Sequence, residues 1–198
     1  MAKKMSSSGD GTTSISVHGD APAASKGTPT EGKPVVSRTV AAPAEVVWSV
    51  LADGWLYATW VVGASRIRDV ERDWPAQGSN IHHSVGLWPL LIDDSTEVLR
   101  SVPNRELVLK ARGWPIGEAH IAITLTPERA EHTTVSITED ATAGPGRIIP
   151  VQVRQLAIGP RNVETLRRLA LIAEGRYRLE LERTATGTNP GTSLPGRK

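Results

Sequence analysis

Two titratable side chains fall where a strand pattern would turn them inward. In Asn80–Leu87 the residues Ile81, His83, Val85 and Leu87 share one side, and Asn80, His82, Ser84 and Gly86 share the other. A neutral imidazole among apolar neighbours can orient a ligand or move a proton near neutral pH. The same residue can equally be a core histidine hydrogen-bonded within the protein. Glu139 continues the apolar side of Thr133, Val135 and Ile137. Turned inward it is a desolvated acid or base. If the strand stops near Thr138, it is a solvated surface carboxylate.

Three tryptophans precede proline: Trp74-Pro75, Trp88-Pro89 and Trp114-Pro115. Proline pushes the residue before it toward extended geometry, so each Trp is expected at a strand end. There a Trp either grips a flat ligand with its apolar face and N–H, or plugs the end of the core. Trp55 and Trp60 have the same two readings, with core filling the stronger. His82, His120 and His132 fall on wet sides. Neighbouring histidines of one strand point to opposite faces, and no His or carboxylate spacing suits a metal, so no metal and no cofactor are expected. Arg147, Arg154 and Arg161 recur every seven residues, which reads as a solvated helix face.

Several chemistries are excluded. The chain has no Cys, which removes disulfides, thiolate metal sites and a Cys nucleophile. Gly27–Lys33 matches seven positions of a phosphate-binding loop, but Pro34 stands where Ser or Thr is needed and no strand–helix context surrounds it. There is no Gly-x-Ser-x-Gly elbow.

These side chains need elements to hold them. Val35–Ala41 is a short β-rich run, and residues 43–52 read as a helix opened by Pro43, with Val47, Val50 and Leu51 on one face. Asp53-Gly54 ends it, and a second helical turn reaches Trp60. From about residue 65 to 141 the period becomes two. Leu107, Leu109 and Ala111 share a dry side, as do Ala119, Ile121, Ile123 and Leu125, and Thr133, Val135 and Ile137. Short turns such as Pro103-Asn104 imply antiparallel pairing. Val151–Gly175 returns to helical spacing through Val163, Leu166, Leu169/Ala170 and Ile172/Ala173. Gly159-Pro160 is expected to break or kink this helix and Gly175 to cap it. The fold class is therefore α+β: a curved antiparallel sheet wrapped round one long C-terminal helix, with short helices after the first strand. Such a sheet leaves a gap beneath the helix.

The 198 residues divide into a domain over 34–182 and two tails, 1–33 and 183–198, whose composition cannot offset ordering entropy. Of 23 Lys/Arg and 21 Asp/Glu, the first tail holds four and three and the second three and none, so the domain keeps sixteen and eighteen. The basic excess sits in the tails, which removes the main support for nucleic-acid binding. No apolar run spans a membrane, and no apolar stretch follows Lys3 and Lys4, so a cytoplasmic protein is expected.

Four segments resemble the START / Bet v 1-like superfamily, which includes the polyketide cyclase/dehydrase proteins. They are Val36–Asp53 with its Ala-Pro-Ala-Glu-Val-Val-Trp opening, Gly78–Gly86, the strands ending in Thr138-Glu-Asp140, and Arg161–Ala170. The resemblance implies a helix-grip fold and an apolar ligand between sheet and terminal helix. Members cyclise polyketides, carry lipids or assist chaperones, and the fold alone does not choose among these. The expected ligand contacts are Trp60, His83, Trp88, Trp114, Ile123, Val135 and Glu139. Binding of an apolar small molecule or lipid is the leading expectation. A cyclase/aromatase using His83 and Glu139 comes second, and a protein-interaction module third.

Overall fold

A computed structural model describes residues 35–87, 89–113, 117–143 and 151–187. Strand β1 (Val35–Val40) leads into helix α1 (Ala44–Leu51), a single 3-10 turn (Gly54–Leu56) and the short α2 (Tyr57–Trp60). Six strands follow: β2 (Ala64–Val70), β3 (Asn80–Leu87), β4 (Leu90–Val102), β5 (Glu106–Gly113), β6 (Gly117–Arg129) and β7 (His132–Ala143). Helix α3 (Val151–Ala185) ends the described chain. The strands form one antiparallel sheet in the order β1-β7-β6-β5-β4-β3-β2. The expected helix-grip architecture is what the chain adopts.

The period-two pattern decides the dry face. Ile81, Leu107, Leu109, Ile123, Leu125, Val135 and Ile137 are all buried, and their odd-numbered registry matches across the ladders, with Leu107 opposite Ile123 and Ile123 opposite Ile137. The β4–β5 turn carries Asn104 at φ 60°, a backbone state that Asn tolerates through its short polar side chain. Gly54 is required by close approach: a Cβ there would stand 2.6 Å from Val70 Cγ1.

Helix α3 differs from expectation in three ways. It runs without interruption through Pro160, although Pro160 has no N–H to bond the preceding turn. It passes Gly175 and ends at Ala185, so the tail expected from 183 begins inside the helix. Contacts beyond Gly175 hold it: Arg176 donates to Ser49 O (3.0 Å) and Asp53 Oδ2 (3.0 Å), and Tyr177 Oη donates to Glu131 (3.0 Å). Its buried stripe is Asn162, Thr165/Leu166, Leu169/Ala170 and Ala173, whereas Val163, expected inside, is 53% exposed. The helix approaches β1, α1 and α2 most closely.

Candidate functional site

Between α3 and the sheet a cavity of about 20 Å³ remains, lined by Tyr57, Trp60, Val61, Leu109, Ile121, Ile123, Ile137, Arg161, Asn162 and Thr165. The sheet contributes four aliphatic side chains from β5, β6 and β7. Helix α2 contributes Tyr57 and Trp60, because the tight turn at Gly54 folds α2 against the sheet. The helix contributes polar groups, because its buried stripe opens on Asn162 and Thr165 before becoming apolar at Leu166.

Glu139 lies at this junction. Strand β7 does not stop at Thr138: Glu139 pairs with Ile121 in the ladder, so the side chain stays on the dry face and is 7% exposed. Arg161 Nη2 donates to its Oε2, and so does Asn162 Nδ2 at 3.2 Å. Reading Arg161 as a solvated face is thereby corrected: a long-range carboxylate draws it across the helix–sheet gap. Arg147 and the Arg154 side chain lie outside the described residues. Thr165 Oγ1 accepts from Val62 N (3.2 Å), which fixes the loop after α2 to α3.

A second buried polar group stands behind Tyr57. His83 Nε2 and Tyr57 Oη both meet Thr96 Oγ1, at 2.9 and 3.2 Å. Burial pushes the Tyr57 phenol up, so it stays protonated at neutral pH. The Thr96 hydroxyl links the phenol to the imidazole in one buried chain. Burial holds His83 down to about 4, partly offset by the Ser84 backbone. The ring is therefore neutral at pH 7. Asp94 faces His83 across the β3–β4 ladder, and its carboxyl is pushed up by desolvation. Three buried atoms of this region have no hydrogen-bond partner among the described residues: Trp60 Nε1, His83 Nδ1 and Asp94 Oδ2.

The expected contacts divide accordingly. Trp60 and Ile123 line the cavity, and Glu139 joins two of its lining residues. His83 is buried but separated from the cavity wall by Tyr57, whose ring lies 5.4 Å away. Val135 packs opposite Leu125 and does not line the cavity. Trp88 and Trp114 lie outside the described residues. Trp74 sits in the β2–β3 connection rather than at a strand end, buried, with its indole N–H on Leu51 O (3.2 Å). Trp55, read as core filling, is 60% exposed. Tyr57, Thr96, Asn162 and Thr165 were not singled out from the sequence, and Arg161 was given only a solvated role. The signal for Asn162 and Thr165 was present: counting back from Leu169 in steps of three and four lands on both.

The model of the family described as polyketide cyclase / dehydrase and lipid transport matches residues 32–186. The chain belongs to that family. No curated protein matches this family member significantly. Among solved structures it is similar to the Zhui aromatase/cyclase from Streptomyces sp. R1128, at 22% identity and a TM-score of 0.54, over 72% of this chain and 93% of that one. It is also similar to protein CV1439 from Chromobacterium violaceum, at 19% identity and a TM-score of 0.52, over 72% and 97%. A protein of the dynemicin biosynthetic locus, DynU16, shares 25% identity at a TM-score of 0.50, over 71% of this chain and 46% of that longer one. Likeness at 22% identity and below is a likeness of fold.

Proposed function

We propose that this family member binds an apolar small molecule or lipid between the sheet and α3. The observation that carries the reading is the wall described above, where aliphatic side chains of three strands face a helix stripe that turns polar at Arg161, Asn162 and Thr165. Structural cores rarely put a guanidinium, an amide and a carboxylate under an otherwise apolar sheet, whereas ligand sites combine apolar walls with a few placed polar groups. The unliganded cavity of about 20 Å³ takes one water. Ligand sites are about 300–1,000 Å³. Binding therefore requires α3 to part from β5–β7, and the missing backbone bond at Pro160 gives the helix a weak point next to Arg161.

Native mass spectrometry of protein purified from its own host tests this, together with titration by the neutral fluorophore N-phenyl-1-naphthylamine. A co-purifying mass at one per chain, and saturable dye binding abolished by Ile123→Trp, are the expected results. The absence of both a bound mass and saturable dye binding would overturn the reading. No helix of the described residues is long and apolar enough to cross a membrane.

A second reading, a cyclase/aromatase acting on the bound molecule, is favoured by the inward Glu139. It is tested by incubating the co-purified ligand with fresh protein. Loss of water from the ligand mass, or a change in its absorption spectrum at constant mass, abolished by Glu139→Gln, supports turnover. Unchanged mass and spectrum leave binding alone.

A further inference from the structure

Trp60 is 2% exposed, and its indole N–H is buried with no acceptor among the described residues. A buried donor left without a partner is costly, and native proteins give such groups a water, an ion or a ligand atom. The ring borders the cavity of about 20 Å³, which has room for one such atom. Of the polar groups around it, Asn162 Nδ2 and Arg161 donate to Glu139 and Thr165 Oγ1 accepts from Val62 N, and none of these bonds uses the indole N–H. The indole N–H is thus a donor that awaits an acceptor.

The charge of that acceptor follows from Glu139. Its carboxylate already faces Arg161, so the guanidinium is matched. A ligand carboxylate would add a second negative charge to an enclosed apolar space, where desolvation disfavours it strongly. A neutral oxygen carries no such penalty. A pure hydrocarbon fills the space but leaves the donor unmet.

We propose that Trp60 Nε1 is a specificity-determining donor that selects ligands presenting a neutral oxygen acceptor, such as a ketone, ester or amide carbonyl, at the inner end. The proposal rests on the cavity-binding reading above. Three small probes separate the two ideas. Acetophenone carries the carbonyl, α-methylstyrene is its near-isostere without oxygen, and benzoate carries the charge. In protein labelled with ¹⁵N at the Trp indoles, the Trp60 cross-peak is assigned by sequential assignment and by its loss in Trp60→Phe. Acetophenone is expected to move this peak downfield, to bind about fivefold tighter than α-methylstyrene, and to outcompete benzoate. In Trp60→Phe the two neutral probes bind alike. Equal binding of the neutral probes to the wild type, tightest binding by benzoate, or no downfield shift would overturn the donor assignment while leaving the cavity intact. No binding by any probe would overturn both. The wild-type peak shift decides the matter even if Trp60→Phe does not fold.

Discussion

Along α3, the stretch Leu166–Ala173 and the turn before it meet the same sheet in opposite ways. The later stretch is packed: Leu166, Leu169, Ala170 and Ala173 are all buried, and the contacts of Arg176 and Tyr177 beyond it hold the helix to α1 and to the β6–β7 turn. The earlier turn sets Arg161, Asn162 and Thr165 above aliphatic side chains and leaves a void between them. One helix therefore clamps the fold at one end and tolerates space at the other. A stripe made wholly of Leu and Ala would close both ends. It is the switch from polar to apolar residues between Thr165 and Leu166 that separates the two jobs.

The sharpest way to break this contrast is Leu169→Ala. The side chain is 0% exposed in the packed stretch, so its removal should cost about 3 kcal/mol in urea unfolding and leave probe affinity of the remaining folded protein unchanged. A change in affinity would mean the two ends are not separate.

The next largest effect is in acid. His83 is held down to about 4 from an ordinary 6.5, because burial disfavours the charged ring. A depressed base binds its proton more readily when the chain is unfolded. Its contribution to stability is complete above about pH 6.5 and is lost as pH falls toward 4. Between pH 7 and 5 the loss should be about 2 kcal/mol. His83→Asn should flatten that slope, and an unchanged slope would place the titration elsewhere.

Glu139→Gln keeps the shape of the polar turn but removes the charge that holds Arg161. A cost of about 1 kcal/mol is expected, since Arg161 is part-exposed and water replaces some of what is lost. The same variant should raise benzoate affinity, because the guanidinium is then unmatched. Smallest is Gly175→Ala. A Cβ there meets nothing within 4 Å, so the helix should gain about 0.5–1 kcal/mol from reduced unfolded-chain entropy. Destabilisation would mean that the helix bends at Gly175.

The sheet was legible in the sequence because one face is dry and the other wet, and side chains alternate along the strands wherever no bulge shifts the register. His83 could be turned inward from that parity alone. Glu139 shared the parity, but its fate depended on whether β7 continued. That is decided by the partner opposite it, Ile121 on β6, rather than by neighbours in sequence. Arg161 was misread for the same reason: seven-residue spacing describes one helix face, while the carboxylate that captures it is on β7. Gly175 carried a local stop signal that Arg176 and Tyr177 override through contacts with Asp53 and Glu131. The size of the cavity is not encoded in any local pattern. It depends on the distance between α3 and the middle strands, which the packed stretch sets from one end.

The pairing of β1 with β7 carries a temporal consequence. Ser37 and Ser136, hydrogen-bonded at 2.9 Å, are 99 positions apart. As the polypeptide leaves the ribosome its first strand has no ladder partner until nearly all of the others have been made. Closing so long a loop is entropically slow. Until then the apolar Val36 and Val40 of that waiting segment are open to other chains, and a product truncated before β7 would expose them permanently.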